Sequence, residues 1–169
     1  MTDNFENGLT QKIADFLAKI GIEIAPAHLD GETFLPGILV DQGKVLVDEA
    51  KLKYPGDLLH EAGHIAVCPN DLRSNLNDEV ALPDVNMDAI EAQVIAWSYA
   101  ACKYLGLDPT VVFHAGGYKG RSEGLLLNFR LGVYLGLGGL QEAGMTATEL
   151  TAGESGTPVY PHMLKWLRD

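Results

Sequence analysis

The chain has 169 residues, of which 47% are hydrophobic, and carries a formal net charge of −11. This size and hydrophobic content suit one globular domain over residues 1–169, and they leave no room for a large second lobe. The acidic balance, without a run of basic residues, argues against nucleic acid or an anionic membrane as partners. The first residues are polar and acidic, and the two cysteines lack a C-x-x-C pattern, so we expect a cytoplasmic protein with buried free thiols.

The first third of the chain predicts one helix and then a small β-sheet. Apolar residues recur at helical spacing over 9–20, and residues 22–24 alternate as a short strand does. Two apolar runs at 37–40 and 44–48 flank residues 41–43, whose Asp-Gln-Gly sequence is typical of a hairpin turn. With the helices that follow, this predicts an α+β fold that is mostly helical, with a small antiparallel sheet. An edge strand of such a sheet could hold an extended peptide through backbone hydrogen bonds.

An H-E-x-x-H motif follows the sheet at residues 60–64. Residues four apart lie on the same face of a helix, so His60 and His64 can offer two imidazole nitrogens to one metal ion. Glu61 points toward the same opening, where it can reach a water molecule at the metal. The alternative is a helix with two ordinary histidines.

The residues around the motif predict a buried helix. Pro55 and Gly56 interrupt whatever precedes it, and Asp57 is a suitable N-cap. Gly63 lies inside the helix, where glycine costs about 1 kcal/mol relative to alanine. We therefore expect another element to pack closely against that turn.

A second helix, predicted over 88–105, supplies the expected third ligand. It carries no charge between Glu91 and Lys103, so most of it should be buried. A catalytic zinc has three protein ligands and an open position, and a carboxylate at the front of a buried helix is costly unless it is compensated. These arguments predict a Zn²⁺ site formed by His60, His64 and Glu91. The alternative is a capping box in which Glu91 bonds back to Asp88.

Other candidate ligands and site residues remain open. The glycine-rich loop at 114–121 contains His114 as a competing third ligand, and Cys68 could complete a closed structural site. A developing oxyanion would need a further donor, and that loop offers three. The oxyanion candidates are Tyr118, His114 and Arg121. The more remote candidate ligands are Asp71, Asp78 and Asp84.

The last third of the chain predicts further helices. Ser122 can cap a helix whose apolar side includes Leu125 and Phe129. The apolar stretch over 125–140 is too short and too interrupted by glycine to span a bilayer. A short helix around residues 163–167 is expected to close the chain.

The pattern H-E-x-G-H, followed by a helix of the form E-A-x-x-x-A, resembles gluzincin-type metallopeptidases and, more narrowly, the ImmA/IrrE family of small zincin-like domains. The residues that carry the resemblance are His60, Glu61, Gly63, His64, Glu91, Ala92 and Ala96. It covers residues 36–106, including the hairpin before the first helix. Two features depart from the family pattern. Ala89 stands where a second acidic residue is frequent, and the Leu or Met-Pro element after the second helix is absent.

Three functions are consistent with these residues. The first is a zinc-dependent metallopeptidase that hydrolyses a peptide bond in a peptide or protein substrate, with Glu61 as general base. The second is a metal-binding regulatory domain without catalysis, and the third is a degenerate zincin that serves as a protein-binding module. Glu61 favours the first, because a purely structural site needs no base. The substrate and the oligomeric state do not follow from the sequence.

Overall fold

The computed structural model describes residues 4–78, 86–153 and 155–169. The fold is α+β and mostly helical, as predicted, with one small sheet before the H-E-x-x-H helix. In chain order, the elements of the described residues are α1 (Gly8–Ile20), β1 (Ile24–Pro26), β2 (Ile38–Asp41), β3 (Lys44–Val47), α2 (Asp57–Val67), α3 (Asn70–Arg73), α4 (Met87–Tyr104), α5 (Ser122–Arg130), α6 (Leu137–Glu142) and α7 (Glu149–Ala152).

The sheet has three strands in the order β1-β3-β2 and is mixed rather than purely antiparallel. The predicted hairpin is confirmed: Gln42 and Gly43 both have positive φ, which a two-residue type I′ turn requires. That turn forces β2 and β3 to run antiparallel. β1 is joined to β2 by a longer segment, which lets β1 pair in parallel with the other side of β3. The prediction of a wholly antiparallel sheet was therefore wrong for β1 alone.

The core forms around α2, which packs mainly against α4 and also contacts α1 and β3. Trp97 of α4 is completely buried, and its ring meets Phe16 of α1 and Trp166 near the carboxyl end of the chain. On α2, Leu58 and Leu59 are also completely buried. The middle of α4 is buried on all sides from Val94 to Cys102, because α2, α6 and the carboxyl end of the chain all pack against it.

The last residues of the chain form no helix, so the helix predicted at 163–167 was wrong. This segment is held by long-range bonds instead of local ones. The Trp97 indole N–H donates to the Trp166 carbonyl at 2.9 Å, and the Arg168 N–H donates to the Ala66 carbonyl at 2.9 Å. Ser122 is the first residue of α5 rather than its cap. Among the described residues, no helix is both long and apolar enough to cross a bilayer.

Candidate metal centre

Three side chains from α2 and α4 converge on one point. The Nε2 atoms of His60 and His64 are 3.3 Å apart. Glu91 places one carboxylate oxygen 3.4 Å from His60 Nε2 and the other 3.3 Å from His64 Nε2. These are the three ligands predicted from the sequence. Two imidazole nitrogens and a carboxylate at this separation could hold a metal ion.

The separations match those between neighbouring ligands of one small divalent ion. In a tetrahedral site with bonds of about 2.0–2.1 Å, neighbouring ligand atoms lie about 3.3–3.4 Å apart. The two Nε2 atoms are 3.3 Å apart, and each lies 3.3 or 3.4 Å from a different oxygen of Glu91, so each of these distances is in that range. Both histidines present Nε2 to the same point, so the donor set and its spacing could hold a metal ion.

The start of α4 explains why Glu91 is free to face the histidines. Asn86 caps the helix: its Oδ1 accepts from the N–H groups of Asp88 and Ala89, at 3.1 and 3.2 Å. A capping box between Asp88 and Glu91 is therefore not formed. Glu91 lies one turn further on, with its carboxylate on the side of α2.

Gly63 allows the two helices to approach closely enough for this contact. A Cβ atom on Gly63 would lie 2.9 Å from Val94 Cγ1, 3.3 Å from Ser98 Oγ and 3.4 Å from Trp97 Cε3, all on α4. The expectation that another element packs on this turn is confirmed. The Ser98 hydroxyl donates mainly to the Val94 carbonyl of its own helix at 2.7 Å, and its oxygen lies 3.3 Å from the Leu59 carbonyl of α2.

Charge and burial act differently on the two histidines. Burial lowers the pKa of His60 to about 4, against the opposing attraction of Glu91, so this ring is neutral at physiological pH. Burial also disfavours protonation of His64, but the hydrogen bond to Glu91 and the charges of Glu61 and Glu91 outweigh it and raise its pKa. Glu91 is affected in the reverse sense. Burial is the largest single effect and favours its neutral form, but the bond from His64 together with the charges of His60, His64 and Arg121 outweighs it and lowers its pKa.

The carboxyl group of Glu61 has a raised pKa. Burial raises the pKa of its carboxyl to about 7, with smaller contributions from the negative charges of Asp78, Glu91 and Asp57. A carboxylate with a pKa near the ambient pH can both accept and return a proton. Its charge interacts with those of His64 and Glu91, so this carboxyl lies near the cluster.

The glycine-rich loop brings Tyr118 to the site. Its hydroxyl lies 3.2 Å from His60 Nδ1, and the two rings are nearly perpendicular. Arg121 is close enough for its charge to lower the pKa of Glu91. His114 is turned away and pairs with Asp57, with 2.7 Å between Nε2 and Oδ1. Of the three oxyanion candidates, Tyr118 alone contacts a cluster residue.

Asp57 and His114 therefore have a role that sequence reasoning missed. Asp57 was predicted to cap α2, but it is the first residue of that helix, and the preceding Gly56 makes no side-chain cap. A Cβ on Gly56 would lie 1.9 Å from the Val111 carbonyl oxygen, so this entry to the helix is closely packed against another loop. Burial raises the pKa of Asp57, partly offset by the bond to His114. No local pattern signals a contact between residues this far apart.

The remaining candidate ligands lie outside the cluster among the described residues. Cys68 is buried just after α2, and Asp71 lies on α3. Asp78 lies near enough to raise the pKa values of Glu61 and His64, but it is not one of the three converging groups. Asp84 falls outside the described residues.

The outer edge of β2 is already occupied. The Val40 N–H donates to the Asp78 carboxylate at 2.8 Å, and the Asp78 N–H donates to the Val40 carbonyl at 3.1 Å. The Gln42 N–H donates to Asn77 Oδ1 at 2.8 Å. An extended peptide therefore cannot pair with β2 in this structure, although β2 is one of the two edge strands.

Comparisons with protein-family models, with curated proteins and with solved structures find no match. The site is therefore defined by its own geometry. It is a candidate metal centre that consists of two histidines and one glutamate on two packed helices.

Proposed function

We propose that this protein is a zinc-dependent metallopeptidase. The observation that supports this most is that His60 Nε2 and His64 Nε2 lie 3.3 Å apart with the Glu91 carboxylate within 3.4 Å of both, a grouping that could supply three ligands to one zinc ion. Three protein ligands leave one position for water or substrate, which is the arrangement of catalytic rather than structural zinc. Glu61 supports catalysis further, because a structural site would not need a half-buried carboxyl with a raised pKa beside it.

The proposed chemistry assigns each residue one task. His60, His64 and Glu91 would hold the ion, which when bound supplies a Lewis acid that polarises a carbonyl and acidifies water. Glu61 takes a proton from the attacking water on its carboxylate and then passes it to the nitrogen of the leaving amine. The C–N bond breaks, and the products are a carboxylic acid and an amine.

The experiment is a cleavage assay of zinc-loaded protein on a library of unstructured peptides, with products identified by mass spectrometry. Glu61→Gln should retain its zinc and cleave about 10²- to 10⁴-fold more slowly, since the amide cannot accept the proton. Glu123→Gln, which changes an exposed glutamate on α5, is the matched control and should cleave like wild type.

The same assay distinguishes the catalytic role from a binding role. Zinc-loaded wild type that cleaves no peptide, or a Glu61→Gln variant as active as wild type, would reject the peptidase. A protein that binds zinc without cleaving would instead be a regulatory metal-binding domain.

A further inference from the structure

Tyr118 contacts the rear of the first histidine of the cluster. Its hydroxyl oxygen lies 3.2 Å from His60 Nδ1, whereas His60 Nε2 faces Glu91 and His64. The two ring nitrogens of His60 thus have separate partners, one on the side of the cluster and one in the glycine-rich loop. A histidine that binds a metal through one nitrogen is oriented by what the other nitrogen contacts.

The phenol has the hydrogen-bonding capacity that this position requires. A neutral imidazole that binds through Nε2 carries its proton on Nδ1, so it needs an acceptor there. Tyr118 is partly buried, and an ordinary phenol keeps its proton at neutral pH. The group therefore stays an uncharged phenol, whose oxygen accepts from Nδ1–H without adding charge to the site.

The surrounding loop holds Tyr118 in an uncommon backbone conformation. Tyr118 and Lys119 have φ values of 54° and 53°, in the left-handed region that residues other than glycine seldom adopt. Such a conformation persists only where neighbouring contacts enforce it. The side chain of Tyr118 also meets the ring of Phe113, with centroids 5.2 Å apart.

Those contacts come from the start of the loop. His114 Nε2 bonds to Asp57 on α2, and the Ser122 hydroxyl donates to the His114 carbonyl at 2.6 Å. The ring of Tyr54 stacks on His114, with centroids 3.7 Å apart. The loop is therefore fixed to the same helix that carries His60.

We propose that Tyr118 is a positioning residue for the metal centre: its hydroxyl accepts the Nδ1–H of His60 and holds that ring with Nε2 toward His64 and Glu91. The anchoring of the loop through Asp57 and His114 sets the position of the hydroxyl. This inference rests on the proposed zinc centre, and it assigns Tyr118 a role in binding the ion rather than in reacting with substrate.

The test compares two Tyr→Phe variants of the full chain by zinc titration against a chromophoric chelator. Tyr118→Phe keeps the ring and removes the hydroxyl that contacts His60. Tyr160→Phe is the matched control, because it also removes the hydroxyl of a buried tyrosine. The Tyr160 hydroxyl donates to the Ala96 carbonyl in a 2.9 Å hydrogen bond and does not contact the cluster residues. Tyr118→Phe should weaken zinc binding about 10- to 100-fold, as loss of a ligand-orienting partner does, and Tyr160→Phe should not.

A second measurement reports on the hydrogen bond itself. In long-range ¹H–¹⁵N spectra of the zinc-loaded wild type, His60 should appear with its proton on Nδ1 and that proton protected from exchange. In Tyr118→Phe the protection should be lost. A wild-type spectrum in which this proton exchanges freely would overturn the inference, even if the variant failed to fold.

The remaining outcomes separate the inference from the function on which it rests. A loss of zinc affinity in Tyr118→Phe no larger than in Tyr160→Phe would overturn the positioning role. Unchanged affinity with slower peptide cleavage would overturn it too, and would make Tyr118 an oxyanion donor. Wild type that takes up no zinc would reject the centre and the inference together.

Discussion

Replacing Gly63 by alanine tests the helix contact on which the metal centre depends. The new Cβ would lie 2.9 Å from Val94 Cγ1 and 3.4 Å from Trp97 Cε3, closer than ordinary van der Waals contact in the first case. Both side chains are completely buried and have little room to move. Overpacking of this kind costs about 1–3 kcal/mol, whereas alanine in a helix gains up to about 1 kcal/mol over glycine.

A matched substitution separates these two effects. Gly124 lies in α5, and a Cβ built on it meets no atom within 4 Å. Gly124→Ala should therefore show only the gain from helix propensity. The free energy of unfolding, measured by urea denaturation, should be lower for Gly63→Ala than for Gly124→Ala by about 1–3 kcal/mol, the cost of overpacking alone.

The consequence for the site follows from the same geometry. If α2 moves away from α4, His60 and His64 move away from Glu91, so Gly63→Ala should also bind zinc more weakly than Gly124→Ala. The reasoning would be refuted if Gly63→Ala were as stable as Gly124→Ala and bound zinc equally well.

Three further predictions follow from the electrostatics and the buried groups. Zinc affinity should rise with pH, because the ion must displace a proton from His64, whose pKa is raised. At pH values below that pKa, the rise should be up to about tenfold per pH unit. Calorimetric titrations at several pH values would contradict this if the affinity did not change. Asp57→Ala should lower the free energy of unfolding by about 1–3 kcal/mol, because it leaves His114 without its hydrogen-bond partner. Asp57→Asn should retain most of that hydrogen bond. Equal urea midpoints for wild type and Asp57→Ala would contradict this prediction. The Cys102 thiol is completely buried, and burial raises its pKa to about 11. It should therefore react with a thiol reagent far more slowly in the native protein than in urea. Rapid labelling of Cys102 in the native protein would contradict the packing of the core.

The features that local sequence determines were predictable. The hairpin turn at Gln42-Gly43 and the helix that carries His60 and His64 follow from turn chemistry and from spacing. Glu91 was predicted because an unpaired carboxylate at the front of a buried helix needs compensation, and the structure places it between the two histidines.

The features that sequence reasoning missed are long-range contacts. Asp57 was assigned to the local role of helix cap, but it bonds to His114 in a distant loop. The approach of Tyr118 to His60 depends on that anchored loop and on a left-handed backbone at a residue other than glycine, which no periodicity reveals. At the carboxyl end, a bond from Trp97 to Trp166 replaces the predicted helix.

The most direct test of the central claim is the zinc content of tag-free protein by plasma mass spectrometry, after zinc is supplied and excess is removed. Wild type and Asp88→Ala, which removes an exposed carboxylate from the first turn of the same helix, should each hold one zinc per chain. His114→Ala should also retain zinc, because His114 lies outside the cluster, and Glu91→Ala should lose it. Wild type without zinc, or a Glu91→Ala variant that binds it as tightly as wild type, would contradict the three-ligand centre.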